Sequence, residues 1–420
     1  AVDLGSNSFR LEIGRVDHGQ FYRTEYLKET VRQGGGLDDD RNLTPEAMQR
    51  GWDCLARFGE RLAGFKKSQV RAVATQTMRE ARNRDVFLTR AHQLLGFPID
   101  VIAGREEARM IYQGVAHLLP QSTERRLVVD IGGRSTEMIL GCDLEAQTME
   151  SLRVGSVRWS MKYFPEGQFT ERAFKAAEIA AKAVLEEATP LFERQLWDTA
   201  YGSSGTVGAV SDVLSASGWP QGLITREGLD WLLDRLLKAQ SADRLKMESL
   251  KDDRRPVIGG GVSVLRAVFD LMNIETMHVA RGALRHGALY DLLDREAPQT
   301  DLRSHTVQSL ARKFDVDRVH AERVSRTARQ LLAMLCSGPD EQLIRFENKL
   351  GWAAQLHEIG SHISHNDQHK HGAYILDNAD APGFSLPELH RLSLLVLGHR
   401  GKLRKLDADF TDTMFVQQLM

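Results

Sequence analysis

The hydrophobic positions of this chain alternate between short apolar runs and runs at helical spacing. Short runs bounded by turn residues predict strands over 2–4, 9–16, 70–74, 99–102 and 127–130. Apolar residues three and four positions apart predict helices over 45–65, 86–95 and 106–118, the last with an apolar side made of Met110, Ile111, Val115 and Leu118. Alternating strands and helices of this kind are typical of an α/β fold.

The pattern changes twice along the chain. A polar segment at 121–126 precedes a buried strand that enters a Gly-Gly turn, and from residue 304 onward only helical periodicity remains. A proline-containing stretch at 295–302 is the predicted linker. We therefore expect an α/β domain at 1–122, a second α/β domain at 123–298 and an all-α domain at 299–420, a number of domains that suits 420 residues.

Both α/β domains open with the same unit: a strand, an Asp, an apolar residue, a Gly, short hydroxylic residues and a second strand. The repeat predicts an internal duplication. Glycine and short side chains allow the backbone N–H groups of a tight turn to approach a phosphate. The two turns therefore supply the candidate phosphate-binding residues Gly5, Ser6, Asn7, Ser8, Gly132, Gly133, Arg134, Ser135 and Thr136. A turn after another strand adds Ser204, Gly205 and Thr206, and 259–261 is predicted as a further glycine turn.

Carboxylates lie close to these turns in sequence. Asp3, Asp130 and Glu137 are candidate metal ligands, because Mg²⁺ commonly joins one or two carboxylates to substrate phosphates. The alternative is that they cap turns or face solvent. Glu106 and Glu107 open a predicted helix, where acidic residues are expected anyway. One of the two could be a general base that takes a proton from water, and spacing alone does not choose between these interpretations.

Basic residues are concentrated between residues 66 and 92, where seven Lys or Arg side chains accompany only Glu80 and Asp85. They are Lys66, Lys67, Arg71, Arg79, Arg82, Arg84 and Arg90. A guanidinium group donates two parallel hydrogen bonds to phosphate. Arg79 follows a strand and two threonines and is the candidate phosphate ligand of this set. For most of the others, a solvated helix face is the alternative.

Charge is balanced over the whole chain, with 55 Lys and Arg against 57 Asp and Glu. This balance excludes the basic field of a general nucleic-acid or membrane binder. No apolar run reaches the ~18 residues that a membrane-spanning helix needs. Cys54, Cys142 and Cys336 are far apart and have no metal-binding spacing, which predicts a reducing, cytoplasmic location. Because the sequence opens inside a strand, we expect a few residues to precede Ala1.

Four segments, at 1–10, 104–109, 130–137 and 202–206, resemble in the same order the exopolyphosphatase and guanosine pentaphosphate phosphohydrolase family. The resemblance implies two ribonuclease-H-like domains of the actin-like ATPase superfamily around a cleft, followed by a helical HD-like domain. It also implies a homodimer that hydrolyses a terminal phosphoanhydride bond and releases orthophosphate with the help of Mg²⁺ or another divalent cation.

Carried onto this chain, the resemblance implies that Glu107 is the catalytic base and that Asp130 and Glu137 assist the metal and the water. It implies that the first and second turns and Arg79 contact phosphate. The family usually has glycine where this chain has Arg134. An arginine at this position is strained if the backbone needs a positive φ, and otherwise adds a positive charge at the phosphates.

The helical segment resembles an HD-type phosphohydrolase domain through residues 320–324 and the pair His357-Glu358, where Glu replaces the usual Asp. Five histidines lie within residues 357–371: His357, His362, His365, His369 and His371. We expect a degenerate domain that binds no metal and serves substrate binding or dimer contacts. The family often has a further C-terminal domain, and we expect the chain to stop before it.

These observations predict an exopolyphosphatase, with a guanosine pentaphosphate 5′-phosphohydrolase as the alternative. A non-catalytic polyphosphate or nucleotide sensor would use the same turns. An ATP-dependent kinase on the same fold would need an adenine pocket, for which the sequence offers no residues. Activity in the helical domain would need a metal site there.

Overall fold

The computed structural model describes residues 1–17, 20–120, 122–296, 302–335, 341–379 and 381–401, together with Leu406, Val416 and Leu419. The chain divides into two compact units, Ala1–Leu293 and Asp294–Met420. The three domain ranges expected from the sequence stay predictions. Cys336 and most of the predicted linker at 295–302 lie outside the described residues, while Cys54 and Cys142 are free thiols.

The first half of the larger unit contains a five-stranded sheet in the order β3-β2-β1-β4-β5. Its strands are β1 (Val2–Leu4), β2 (Phe9–Asp17), β3 (Gln20–Glu29), β4 (Ala72–Ala74) and β5 (Ile99–Val101). Its helices are α1 (Pro45–Leu62), α2 (Gln76–Glu80), α3 (Arg84–Leu95) and α4 (Gly104–Ala116). All strands and helices predicted for this part of the sequence are confirmed, with ends shifted by a few residues; β3 and α2 were not predicted.

The second half of the same unit contains a six-stranded sheet in the order β10-β11-β9-β6-β7-β8. Its strands are β6 (Arg125–Ile131), β7 (Thr136–Cys142), β8 (Glu145–Leu152), β9 (Thr199–Ser203), β10 (Leu223–Thr225) and β11 (Thr276–Val279). Its helices are α5 (Ser156–Tyr163), α6 (Glu171–Leu185), α7 (Ser204–Ala216), α8 (Arg226–Ala239), α9 (Ile258–Leu271) and α10 (Leu284–Glu296). The polar segment before this sheet ends in Arg126, which is itself a buried residue of β6.

The two sheets repeat one topology, which bears out the internal duplication. In each, three strands pair antiparallel in chain order and two further strands extend the first of them in parallel. The register is the same as well: Asp3 pairs with Arg10, and Asp130 pairs with Glu137, each seven positions further along. The two glycine turns therefore occupy equivalent places, and Arg10 is the positional equivalent of Glu137.

The glycines at 259–261 lie in the first turn of helix α9, so the prediction of a further glycine turn is wrong. They permit a close approach of α9 to α5. A β-carbon on Gly260 would lie 2.5 Å from the backbone oxygen of Ser156 and 2.5 Å from the backbone nitrogen of Ser160. No side chain fits at this distance, so glycine is required here by helix packing and not by turn geometry.

The apolar side predicted for α4 is confirmed for Met110, Ile111 and Val115, which are buried. Leu118 lies beyond the end of the helix and is 47% exposed. The helix ends earlier than the hydrophobic pattern suggested, so this leucine leaves the buried face.

Helix α10 returns from the second sheet to pack against α4. A β-carbon on Gly287 would lie 1.8 Å from the carbonyl oxygen of Met110, so the two backbones are in direct contact. Asp291 then accepts a 2.8 Å hydrogen bond from Arg109 and lies 3.4 Å from Arg71. Both arginines are buried, and these ion pairs fix the last helix of the unit to elements of the first sheet.

The described part of the second unit is helical, as the sequence predicts. It contains α11 (Leu302–Lys313), α12 (Arg318–Leu335), α13 (Glu341–Gln355), α14 (Gln368–Asn378) and α15 (Leu386–Gly398), with a short 3-10 helix at Ile359–His362. Its core is formed by fully or almost fully buried side chains that include Val307, Leu356, Ile359, Leu376 and Phe384. None of the helices in the described ranges combines the length and apolarity that crossing a membrane requires.

Candidate active site

A cavity of about 330 Å³ opens between the two sheets of the larger unit. Three turns and three carboxylates predicted from the sequence meet at its wall: Asp3, Gly5, Ser6, Asn7, Ser8, Glu107, Asp130, Gly132, Gly133, Ser135, Ser204, Gly205 and Thr206. Four other predicted residues, Arg79, Arg134, Thr136 and Glu137, do not line it. The duplication explains why the first two turns meet here. In each sheet the turn that joins the first two strands lies at the equivalent edge, and both edges face the cavity.

The first turn, at residues 5–8, offers polar side chains to the cavity. The amide of Asn7 and the hydroxyl of Ser8 are buried and make no hydrogen bond to any described residue. A buried polar group without a partner costs about 1–3 kcal/mol. Ser6 is held in place, since its hydroxyl accepts a 2.7 Å hydrogen bond from Thr77 and its carbonyl accepts one from the backbone of Gly34. A phosphate oxygen in the cavity would satisfy the donors of this turn.

The second turn, at residues 132–136, is closed on itself and on α5. The N–H of Gly132 donates to the carbonyl of Ser135 at 2.9 Å, and the N–H of Ser156 donates back to Gly132 at 2.9 Å. A β-carbon on Gly133 would lie 3.0 Å from that of Ser6, so the two turns touch. Thr136 donates to the carbonyl of Val154 at 2.6 Å and supports the strand from inside the fold.

Arg134 follows neither of the two alternatives expected from the sequence. Its φ is not positive, so it is not strained, and its side chain leaves the cavity. The guanidinium donates to Glu80 at 2.6 and 3.0 Å and to the carbonyl of Gly34 at 2.7 Å. Arg158 also contacts Glu80, at 3.2 Å. Arg134 therefore ties the second turn to elements of the first sheet, and its predicted contact with phosphate would require this ion pair to open.

Helix α4 places its two glutamates on different sides. Glu107 reaches the cavity, where its Oε2 atom accepts a 2.8 Å hydrogen bond from Arg79. Glu106, about 100° around the helix, is buried against Arg109, which donates to both of its carboxylate oxygens at 2.7 and 2.8 Å. Arg79 also donates to the carbonyl of Ile102 at 2.9 Å. In this arrangement Arg79 positions Glu107 and does not itself line the cavity.

Burial raises the pKa of three carboxyl groups in this region, those of Glu107, Asp130 and Glu137. Burial raises the pKa of Glu107 to about 7 in spite of Arg79, and the charges of Asp130 and Asp3 add to the effect. Burial likewise raises the pKa of Asp130 to about 6. The pKa of Glu137 is also well above its usual value, through burial and the charges of Glu107 and Asp130. A carboxylate that titrates near neutral pH suits general base catalysis.

A divalent cation fits this group of acids. Asp3 has one carboxylate oxygen, Oδ1, that is buried and makes no hydrogen bond to the described residues, while Oδ2 accepts from Arg10 at 3.1 Å. Glu137 lies behind the cavity wall and accepts from Ser151 at 2.7 Å. Across the described residues, Asp3, Asp130 and Glu137 do not bring three oxygens within 4.8 Å of one another. An ion here would therefore use Asp3 and Asp130 with substrate oxygens and water, the usual Mg²⁺ pattern.

Six cations line the cavity that were not assigned to the site from the sequence: Arg10, Lys28, Lys251, Arg254, Arg281 and Arg285. Burial and the nearby charge of Arg254 lower the pKa of Lys28, and burial and the charge of Arg10 lower the pKa of Arg254. These cations repel one another, so an anion would be stabilised among them. Among these six, only Arg10 could have been assigned to the site from the sequence. The repeated unit places it opposite Asp3 on the neighbouring strand.

None of the seven Lys and Arg residues in the basic stretch at 66–92 lines the cavity, although Thr75 of the same stretch does. Arg71 is buried against Asp100 and Asp291, and Arg90 stacks over the ring of Trp52 at 4.4 Å. The clustering of basic residues along the sequence therefore did not indicate which cations face the cavity. The clustered side chains lie on different helices and loops around the first sheet.

Replacing Arg79 with Met should move the activity profile to higher pH. Arg79 lowers the pKa of Glu107, so its removal raises that pKa further above 7 and leaves less of the ionised base at neutral pH. Each unit of pKa corresponds to about a tenfold loss at a pH below both values. The pH dependence of kcat/KM at saturating Mg²⁺ measures this shift. Arg79→Lys retains the charge and should restore part of the activity at neutral pH; an unmoved midpoint in Arg79→Met would contradict the assignment.

The chain matches one protein family over nearly its full length. Residues 13–296 match the Ppx/GppA phosphatase family, and residues 302–419 match domain III of the same family. The chain is 40% identical over 408 residues to a guanosine-5′-triphosphate,3′-diphosphate pyrophosphatase of Vibrio parahaemolyticus, covering 97% of this chain and 81% of that one. A protein of the same name from Photobacterium profundum is 38% identical over 406 residues, with the same two coverages.

Solved structures share the fold. An exopolyphosphatase from Cytophaga hutchinsonii has a TM-score of 0.63 at 24% identity, covering 70% of this chain and 97% of that one. A Ppx/GppA family protein from Aquifex aeolicus has a TM-score of 0.58 at 24% identity, with the same coverages. These likenesses confirm the predicted α/β fold. Because the sequence matches extend in order through both compact units, the chain belongs to the Ppx/GppA phosphatase family and is a phosphoanhydride hydrolase.

Proposed function

We propose that this protein removes the terminal 5′-phosphate of guanosine pentaphosphate and releases orthophosphate. The observation that carries the proposal is the identity of about two residues in five, over 97% of the chain, with a protein named for hydrolysis of guanosine 5′-triphosphate,3′-diphosphate. The cavity adds physical support, because its turns and its many cations suit a substrate with several phosphate groups.

The proposed reaction is attack of water on the terminal phosphorus. Glu107 takes a proton of the water and the bond from the terminal phosphorus to the bridging oxygen breaks. The electron pair stays on that oxygen, which leaves as part of guanosine 5′-diphosphate,3′-diphosphate. Residues 5–8 and 132–135 hold the terminal phosphate, and Arg79 fixes the orientation of Glu107 through its 2.8 Å hydrogen bond. Phosphoryl transfer depends mainly on such positioning and on neutralisation of charge.

Asp3 and Asp130 would hold a Mg²⁺ ion or another divalent cation at the phosphates. When bound, the ion would neutralise charge on the phosphate oxygens. Two observations support such a site: Oδ1 of Asp3 is buried and makes no hydrogen bond to the described residues, and burial raises the pKa of Asp130. Glu137 does not line the cavity; it accepts a hydrogen bond from Ser151 and lies close enough to Glu107 and Asp130 for their charges to raise its pKa.

The cations beyond the two turns favour a substrate with a second anionic group. Lys251 and Arg281 line the cavity and are exposed, and no ion pair involves either of them in the described parts of the chain. Among the described residues, Lys28 and Arg254 both contact one carboxylate, that of Asp253. A guanosine nucleotide with phosphates on both its 5′ and 3′ positions could meet these cations and the turns together.

Exopolyphosphatase activity, the first expectation from the sequence, is the second candidate. The same turns and cations would bind the end of inorganic polyphosphate, and the C. hutchinsonii protein with this fold is named an exopolyphosphatase. Since that likeness shows the fold alone, the curated relatives favour the nucleotide as the preferred substrate.

We also propose a homodimer, which sedimentation or light scattering of the purified protein would test.

The experiment compares guanosine pentaphosphate, GTP and long-chain polyphosphate at equal concentrations of phosphate ends, with Mg²⁺ and with a chelator. We expect the highest kcat/KM for guanosine pentaphosphate, slower hydrolysis of GTP, and loss of activity in the chelator. A higher kcat/KM for polyphosphate would replace the proposal with the exopolyphosphatase interpretation. Tight binding of either substrate without phosphate release would favour a sensor.

A further inference from the structure

The helical unit contains a group of metal-binding side chains that has no part in the proposed reaction. His320 lies in the first turn of α12, and His357 and Glu358 lie two and three residues after the end of α13. One potential ligand atom from each of the three lies within 4.8 Å of the others, and no other described residues form such a group. The fold thus brings the imidazoles of His320 and His357, which are 37 positions apart in sequence, and the carboxylate of Glu358 to one point.

The ring of His357 is oriented for a ligand. Its Nδ1 atom lies 2.7 Å from the carbonyl oxygen of Ala354, so Nδ1 carries the proton and Nε2 keeps its lone pair. Nε2 points toward Glu358, whose Oε1 atom is 4.0 Å away. Histidines that bind metals commonly donate their other ring N–H to a backbone carbonyl in this way, which fixes both the tautomer and the ring.

The distances are slightly longer than a bound ion requires. Nε2 of His320 lies 3.9 Å from Oε1 of Glu358, whereas bonds of ~2.0–2.1 Å in a tetrahedral site place two ligand atoms about 3.4 Å apart. The side chains of His320 and Glu358 are 40% and 29% exposed, so they are free to close by this half ångström. His357 is buried and would provide the fixed ligand.

We propose that His320, His357 and Glu358 bind one first-row transition-metal dication, Zn²⁺ being the probe, and that the ion joins the start of α12 to the end of α13. Two imidazoles and one carboxylate favour such an ion over Mg²⁺, which prefers oxygen ligands. Water would complete the coordination on the exposed side. This site replaces the expectation, made from the sequence, that the helical domain binds no metal.

One neighbouring group opposes binding. Nδ1 of His320 lies 3.4 Å from the guanidinium of Arg323, a contact in which the ring accepts and Nε2 keeps the proton. A metal at Nε2 moves that proton to Nδ1 and displaces Arg323, which is exposed. Removing this guanidinium should therefore strengthen binding, an effect that a group with no metal-binding role would not show.

The test measures Zn²⁺ uptake by the chelator-treated full chain, with mass spectrometry for stoichiometry and a competing chromogenic chelator for affinity. The cleft acids are controlled for by repeating each measurement in excess Mg²⁺. We expect the native chain to bind one more Zn²⁺ than His357→Asn or Glu358→Gln, and Arg323→Ala to bind Zn²⁺ more tightly. His390→Asn is the matched control, because His390 is an exposed histidine paired with Asp377 outside the group.

Equal Zn²⁺ uptake by the native chain and by Glu358→Gln would overturn the proposal. Should His357→Asn fail to fold by circular dichroism, His320→Asn and Glu358→Gln remain informative, since both side chains are partly exposed. Visible absorption of Co²⁺ in place of Zn²⁺ provides a second readout. A Co²⁺ spectrum that is the same in the native chain and in His320→Asn also overturns the assignment.

Discussion

Replacing Glu107 with Gln should lower kcat by about 10²–10⁴-fold, the range expected when a general base is removed. Glutamine retains the size of the side chain and can accept the hydrogen bond from Arg79, so the cavity should keep its shape. KM should change little, because the turns that hold the phosphate are intact. Phosphate release from guanosine pentaphosphate under single-turnover conditions measures the effect on chemistry.

The neighbouring residue provides the control. Glu106→Gln removes charge from the pair with Arg109 and should lower the free energy of unfolding by about 1–3 kcal/mol, while leaving the base in place. The two substitutions are chemically identical and adjacent, so they separate a catalytic effect from a structural one. A Glu107→Gln protein that retains native kcat would show that the base lies elsewhere in the cavity.

Without divalent cations, the free energy of unfolding should fall as pH rises from about 4.5 to 7. The pKa of Glu107 is about 7 in the folded protein and near 4.5 in the unfolded chain. Between these values the folded state binds more protons than the unfolded state, so stability decreases with pH and levels off above pH 7. A shift of this size corresponds to at most about 3 kcal/mol, and Asp130 contributes in the same direction between about pH 3.8 and 6.

Urea unfolding at pH 5 and pH 7.5 in a chelator measures this loss. Glu107→Gln cannot ionise at this position, so its stability should fall less over the same interval. Adding Mg²⁺ at pH 7.5 should restore stability in the native protein, because the ion supplies the missing positive charge. A native chain that is more stable at pH 7.5 than at pH 5 in the chelator would contradict the raised pKa of these carboxyl groups.

The sequence by itself determined the architecture. Period-two and helical spacing of apolar residues predicted the strands and helices, since both are local properties of the chain. The repeated Asp-containing turn predicted a duplication, and the register of Asp3 with Arg10 and of Asp130 with Glu137 confirms it. The resemblance to the family is confirmed as well. The prediction of a glycine turn at 259–261 is wrong because these glycines permit close helix packing, a second role of glycine that the sequence pattern does not distinguish from a turn.

Only the tertiary structure decided which side chains face the cavity. Glu107 and Glu106 are adjacent in sequence, and a helical rotation of about 100° directs one to the cavity and the other to Arg109. Arg134 lies in a predicted phosphate-binding turn of the second sheet, but its side chain pairs with Glu80 of helix α2 beside the first sheet. The cations of the cavity come from two strands, from loops and from helix α10, which are far apart in the chain. Sequence fixes local geometry, whereas side-chain partners depend on packing between elements that no local pattern records.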